Sequence, residues 1–309
     1  MPKLSRRRLL QCSAAALLPL GAARSAWALN HELAFLVVGD WGDPREIANT
    51  RKVAAQMGFA ADTLRADFIV SVGDNFYERG VGGIDDALWR QAFEDIYTAA
   101  SLQCPWYAVL GNHDHYGNAD AEIAYEKVSP RWRMPSRYYS RREWLSDGSA
   151  VDFFHLDTHP LARLSWMGSW LAAGRQVEEQ LDWLARGLAR SDAPWKIVIG
   201  HHPIYSGGKH GSSDRLLGRV RPLLDRYRVQ AYISGHDHDL QHIVADDVHY
   251  LICGSGSAAR ETGSTFGTRF SAARLGFMTA RMSPGEMEIV FVDATGADVY
   301  SARIPAFKP

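Results

Sequence analysis

A chain of 309 residues, 46% hydrophobic, is long enough for one large α/β domain with a sizeable core. Its 34 basic and 35 acidic residues nearly cancel, and beyond the leader no Lys/Arg-rich run remains, so nucleic acid is not the expected partner. Neither a low-complexity linker nor an internal repeat interrupts it.

The first 28 residues differ from the rest. They hold Lys3, Arg6, Arg7, Arg8 and Arg24 and no acid; an apolar stretch runs from Leu9 to Leu20, and Ala26-Trp27-Ala28 is a small-x-small cleavage site. This is the pattern of a signal peptide. Ser5-Arg6-Arg7-Arg8-Leu9-Leu10 resembles a twin-arginine signal, which exports folded proteins; an ordinary Sec signal is the other reading. The apolar run falls short of the ~20 residues a span needs, so no membrane anchor is expected. Cys12 is a poor lipidation site. The mature chain, 29–309, is then a single domain with 29 basic and 35 acidic residues, a net of −6, exported to the periplasm or medium of a bacterium. Cys104 and Cys253 border apolar runs and read as small core residues, although an oxidising compartment also allows them to pair.

In chain order, an apolar β-branched run at 34–39 leads into GDWG (39–42), and a helix is expected over 46–64. A run at 67–72 leads into GDNFY (73–77); a Gly-rich loop and a helix over 85–97 follow. The run at 105–110 leads into GNHD (111–114), before a short helix over 119–127. Strand, loop and helix in repetition favour parallel strands with right-handed crossovers. The texture then changes. Residues 137–140 and 150–157 read as strands of a more antiparallel stretch. Val177, Leu181, Leu184 and Leu188 mark one face of a helix over 175–189. Strands at 195–199 and 229–234 carry GHHP (200–203) and GHDH (235–238), with a helix over 216–227 between them. The tail reads as antiparallel strands near 248–253, 276–281, 287–293 and 298–304, broken by PGE and ATGAD turns. Two facing sheets with helices outside is the inference.

Each of the five motifs follows an apolar run, and ligands gather outside the carboxyl ends of such strands. Five loops would bring Asp40, Asp74, Tyr77, Asn112, His201, His236 and His238 to one point. Carboxylates, imidazoles, an amide and a phenol in one place suit a metal pair. The i, i+2 spacing of His236 and His238 puts both rings on one side of an extended loop.

In order, spacing and wording the five motifs resemble the metallophosphoesterases, and within them the small, tartrate-resistant-type purple acid phosphatases. The resemblance runs from Gly39 to beyond Gln241. It implies a four-layer αββα sandwich of two mixed sheets and a dinuclear acid phosphatase that cleaves phosphate monoesters by attack of a metal-bound hydroxide. By the same resemblance Asp40, Asp74, Tyr77 and His238 hold Fe(III). Asp74 bridges to a second ion, Fe(II), Zn or Mn, held also by Asn112, His201 and His236. A Tyr three residues after the second Asp is the discriminating feature, because a phenolate on Fe(III) gives the purple colour. A ferric and a divalent ion, less the charges of two carboxylates, a phenolate and a hydroxide, leave about one positive charge to welcome an anionic ester.

The resemblance also makes His113 and His210 the catalytic histidines, which contact phosphate oxygens or protonate the leaving group. His202 either orients its neighbours or lines the pocket. Asp114 is expected to fix the tautomer of His113, with Asp237 and Asp239 acting in the same way or simply solvated. Trp41 and Tyr205 form a pocket wall or pack in the core. The expected partner is a small phosphate ester, with neither nucleic acid nor membrane; the sequence leaves oligomeric state open. Two competing readings use the same scaffold: a divalent-metal phosphodiesterase, which Tyr77 counts against, and a non-catalytic metal- or phosphate-binding protein.

Overall fold

The computed structural model describes residues 32–163 and 170–307; the leader at 1–28 lies outside them. Strand β1 (Leu33–Val38) shows why the sequence runs are apolar in both phases. Leu33, Phe35 and Val37 face one core, Leu36 and Val38 face another, and all are buried. A strand covered on both faces needs no polar alternation.

Fourteen strands form two seven-stranded sheets among the described residues. The first contains β1, β2 (Phe68–Ser71), β3 (Trp106–Ala108) and β4 (Trp132–Arg133), all parallel. The second contains β5 (Tyr139–Trp144), β6 (Ala150–His155), β7 (Trp195–Ile199), β8 (Ala231–Ser234), β9 (Leu240–Ala245), β10 (Val248–Cys253) and β11 (Thr268–Ala272). The last three, β12 (Gly276–Met282), β13 (Glu286–Asp293) and β14 (Asp298–Pro305), return to the first sheet, where β12 pairs antiparallel with β1. The order is β14-β13-β12-β1-β2-β3-β4 in one sheet and β11-β9-β10-β8-β7-β6-β5 in the other.

One apolar core lies between the sheets, built from residues such as Phe35, Val70, Phe153, Ile199, Ile233 and Met278. Helix α1 (Ile47–Leu64) covers the first sheet through Val53, Met57 and Ala61. Short α2 (Ala119–Ala124) follows β3, and α3 (Thr158–Ala162) follows β6. Helix α4 (Trp170–Arg190) covers the second sheet through Val177, Leu184 and Leu188, as the expected apolar face requires, with α5 (Asp214–Arg219) and α6 (Arg221–Arg226) beside it.

Several expectations need correction. The antiparallel stretch holds for β5 and β6, which pair antiparallel as expected, but it does not extend through the second sheet: β6, β7, β8 and β10 run parallel at its centre, and β9 pairs antiparallel with β10 and β11. The helix expected over 85–97 is a wide π-helical turn at Trp89–Glu94, which buries Trp89, Ala92 and Phe93 together. The helix expected over 216–227 divides after Val220, because Pro222 in the first turn of α6 has no N–H to continue α5. Cys253 lies in the inter-sheet core and Cys104 packs against the outer core of the first sheet, so each is a free thiol on a different face.

Candidate metal centre

The carboxyl ends of β1, β2, β3, β7 and β8 meet at one edge of the sandwich. Backbone bonds stitch their loops together: Gly39 N–H donates to Cys253 O at 2.8 Å, Asp40 N–H to Gly73 O at 2.9 Å, and Gly235 N–H to His201 O at 3.0 Å. The approach is so close at Gly235 that a Cβ would sit 2.4 Å from Asp40 Oδ2. Asp40, Asp74 and His236 adopt φ of 56°, 50° and 70°. Three side-chain-bearing residues in the left-handed region, one per loop, is a concentration of strain typical of functional sites.

These loops bring together all seven expected metal donors. Tyr77 Oη lies 2.9 Å from Asp74 Oδ2, 3.1 Å from Asp40 Oδ1 and 3.2 Å from His238 Nε2. On the other side of Asp74, its Oδ2 is 3.4 Å from His201 Nε2, which is 3.2 Å from both Asn112 Oδ1 and His236 Nδ1. Ligand atoms of Asp74, His201 and His236 all fall within 4.8 Å of one another. Asp74 is thus common to two donor groups. The Asp40–Tyr77–His238 group is buried, whereas Asn112 and His236 on the other side are half-buried and face a cavity of about 410 Å³.

The donor set fits cations. His201 Nδ1 lies 2.9 Å from the Val72 carbonyl, which can only accept, so Nδ1 carries a proton. Its Nε2 then faces a carboxylate, an amide oxygen and an imidazole nitrogen, and something positive must sit among them. With a proton there, His201 is pushed up to about 9, burial opposing and Asp74 driving the rise. Asp74 is held well below the carboxylate range: burial would raise it, but the His201 and His113 imidazoles outweigh that. Tyr77 is the reverse case. Burial first, then Asp40 and Asp74, lifts its phenol well above the usual value, so a phenolate here calls for a cation at the same spot.

The three further histidines separate by position. His113 is held at Nδ1, 2.6 Å from the Glu78 carbonyl, with Nε2 3.9 Å from Asp74 Oδ2 and its ring against Tyr77. His202 and His210 line the cavity with Asn112 and His236. Thr158 Oγ1 accepts the backbone N–H of His201 and of His202, and lies 3.0 Å from His202 Nδ1. With both lone pairs used, the hydroxyl proton goes to Nδ1, which leaves His202 with its proton on Nε2. Burial, reinforced by His201 and His236, keeps that ring neutral. The His210 ring packs tilted against His236, with centroids 4.3 Å apart, and its backbone N–H donates to Asp237 Oδ1 at 2.8 Å.

Asp114 does not hold His113. It turns inward and accepts the backbone N–H groups of Gly111, Asn75 and Phe76 at 2.7, 3.1 and 3.0 Å, fixing the loop that carries Asp74. Asp237 holds the Ser206–His210 loop, and Asp239 accepts from Gln241; neither is merely solvated. Trp41 is core, with no exposure, and its indole donates to Ser71 Oγ at 2.8 Å. Tyr205 packs edge-on against Tyr250. Of the two roles expected for them, core packing is the one the structure shows, and Tyr116 and His202 stand among the cavity's lining residues. Thr158 and Glu122, whose Oε2 accepts from Asn75 at 2.9 Å, carry no sequence signal of their own, because packing alone gives them their roles.

The fold and the donor set define a metal-dependent phosphoesterase. The calcineurin-like phosphoesterase model matches residues 33–240. The chain is 36% identical to human tartrate-resistant acid phosphatase type 5, over 88% of this chain and 91% of that one. It is 38% identical to purple acid phosphatase 3 of Arabidopsis thaliana, over 85% and 75%. It belongs to the calcineurin-like phosphoesterases, and among them to the purple acid phosphatases. Among solved structures, GAP50 of Plasmodium, described as the anchor in the inner membrane complex, superposes with a TM-score of 0.80 at 28% identity, over 90% of both chains. The yellow lupin purple acid phosphatase PPD1 shares the fold, with a TM-score of 0.64 at 18% identity over 90% of this chain and 54% of that one.

Proposed function

We propose that the chain hydrolyses phosphate monoesters at a dinuclear centre held by Asp40, Asp74, Tyr77 and His238 on one ion and by Asp74, Asn112, His201 and His236 on the other. The observation that carries this reading is the position of Asp74 Oδ2, 2.9 Å from the Tyr77 phenol and 3.4 Å from His201 Nε2. Iron in the first position fits the phenol, and Fe(II), Zn or Mn all fit the second. Bound there, a metal pair supplies Lewis acidity to the phosphoryl oxygens and to the attacking water.

The chain's own residues do the rest. The half-buried side of the centre opens to the cavity, so the ester enters past Asn112 and His236. His202, neutral with its proton on Nε2, offers a donor to a phosphoryl oxygen. His113, held by the Glu78 carbonyl, keeps Nε2 for the phosphoryl group or for the departing alcohol. His210 stands at the mouth, its loop fixed through Asp237. Inorganic charge recognition suits a small anionic ester.

The identity of a close structural neighbour as an anchor keeps a non-catalytic reading in view; the full donor set argues for turnover. The test is metal analysis of the purified protein, its visible spectrum, and hydrolysis of p-nitrophenyl phosphate beside bis-p-nitrophenyl phosphate. Iron, a purple or pink band and preference for the monoester support the reading. A colourless iron-loaded protein that prefers the diester would establish the phosphodiesterase, and metal without hydrolysis the binding protein. We also propose that residues 1–28 direct export to a periplasm or medium, which the N-terminal sequence of the exported protein checks. Among the described residues no helix is long and apolar enough to cross a membrane.

A further inference from the structure

Between the two sheets, away from the metal centre, lies a charge that the chemistry does not use. Arg141, on β5, has only 10% of its side chain exposed. Its Cζ lies 3.9 Å from the ring centres of Phe68 and Tyr107 and 4.1 Å from that of Phe153. Those rings come from β2, β3 and β6, so both sheets close on one guanidinium. Aromatic faces offset part of the cost of taking a cation out of water. One donor is engaged: Nη1 donates to Glu143 Oε1 at 2.6 Å, and Glu143, with 31% of its side chain exposed, meets solvent. The edge formed by Nε and Nη2 is different. Both atoms are buried, and neither has a hydrogen-bond partner among the described residues. Together they make one of the planar forks with which a guanidinium grips an anion.

His155 belongs to the same face. On the antiparallel β5–β6 ladder Arg141 pairs with Phe153 and Tyr139 with His155, so the four side chains project to one side. Arg141 and His155 are diagonal neighbours there, a relation that long side chains can span. His155 is fully buried and stacks on Tyr139 with ring centres 4.3 Å apart. Neither of its nitrogens has a partner among the described residues. Burial first, then the Arg141 charge, holds this imidazole well below its ordinary value, so it is neutral and keeps one N–H. Three buried donors thus share one face with no protein acceptor. Each costs about 1–3 kcal/mol if left unpaired, and buried polar groups are nearly always satisfied.

We infer that the Nε–Nη2 edge of Arg141, with His155 beside it, is an internal site for a small monovalent anion of the halide class, chloride being the one at hand in most media. The only acid paired with Arg141 among the described residues is Glu143, on the solvent side, so the inner edge keeps a positive field. Buried walls at Phe68, Phe153 and His155 limit the ligand to an ion of one or a few atoms. The ion ties β5 and β6 of the second sheet to β2 and β3 of the first. Strand β3 runs on to Asn112 and β6 to Thr158, so the site steadies the metal centre from outside it. It stands whether or not the chain proves to be a phosphatase.

The test is diffraction from crystals of the metal-loaded protein grown in sodium bromide, with data collected at the bromine absorption edge. An anomalous peak within hydrogen-bonding distance of Arg141 Nε and Nη2 is expected. A water at that edge, no density there, or a peak at the metal centre alone overturns the site. A second reading is thermal unfolding in sodium chloride against sodium gluconate at equal ionic strength, because gluconate is too large to enter. Wild-type Tm is expected to be roughly 2–4 °C higher in chloride, as for a ligand that binds the folded state alone. In Arg141→Met, which keeps the length and removes the fork, that difference disappears. A wild-type Tm indifferent to chloride, or an equal response in Arg141→Met, also overturns the site. Should the variant fail to fold, the bromide peak in the wild type decides.

Discussion

At the residue scale, the site turns on which protons are fixed and which positions are left for cations. Tyr77 has one phenolic proton and three acceptors around it. Replacing it by Phe should therefore leave the fold intact and abolish the visible band of the iron-loaded protein; a Tyr77→Phe protein that stays purple would place the chromophore elsewhere. His113→Ala should lower kcat by about a hundredfold, the usual size of a lost general acid, with both metals retained on analysis. Unchanged kcat would remove His113 from the chemistry. The convergence of the seven candidate donors was legible in the sequence because each sits at a fixed step after a buried strand, where geometry is nearly local. Asp114 was misread for the complementary reason. Adjacent in sequence to His113, it points the other way and accepts the N–H of Gly111 in its own loop and those of Asn75 and Phe76 in the neighbouring one. Thr158 was invisible, since nothing in THPLA shows that its hydroxyl will serve two histidines more than forty residues later.

At the element scale, strand ends define the centre and close packing holds them in register. The indole of Trp41 donates to Ser71, Ser71 donates to Asn75, and Asn75 donates to Val109 O and Glu122, so three loops share one buried chain of bonds. Breaking its first link by Trp41→Phe leaves Ser71 without its donor and should cost about 1–3 kcal/mol in denaturant unfolding, with weaker metal retention after dialysis. Gly235→Ala tests the close approach of β8 to Asp40. The added methyl would press on Asp40 Oδ2, so metal content should fall more than stability does; full metal occupancy would show that the loop can yield. Strands with both phases apolar were readable as buried. The pairing of β6, β7, β8 and β10 as a parallel core was not, since residue pattern alone does not reveal strand direction. Helix 216–227 was drawn through Pro222, whose missing N–H decides the break.

At the scale of the whole molecule, buried imidazoles set the response to acid. His242 and His249 lie 2.9 Å apart, nitrogen to nitrogen, beneath Tyr300. Burial lowers them to about 3 and about 4, and His159 to about 4. A folded value below the unfolded one of about 6.5 means that the unfolded chain takes up protons first. Their contribution to stability is complete above that value and is lost as pH falls toward the folded values. Asp239, lifted by burial to about 6, works in the opposite sense and offsets part of the loss. Tm should therefore drop between about pH 6.5 and 4, and His242→Gln with His249→Gln should flatten the slope; an equal slope would assign the loss to other groups. The first sheet supplies Asp40, Asp74, Tyr77 and Asn112, and the second supplies His201, His236 and His238. Chelation should accordingly lower Tm, because ions that bind only the docked pair of sheets stabilise it by mass action. The bond from His236 N–H to Asp40 Oδ2 spans 196 positions of sequence. Contacts of such separation are slow to form, because the loop between them must close first. During refolding, far-UV circular dichroism should recover before metal uptake does, and in that interval the chain is built in outline but chemically silent.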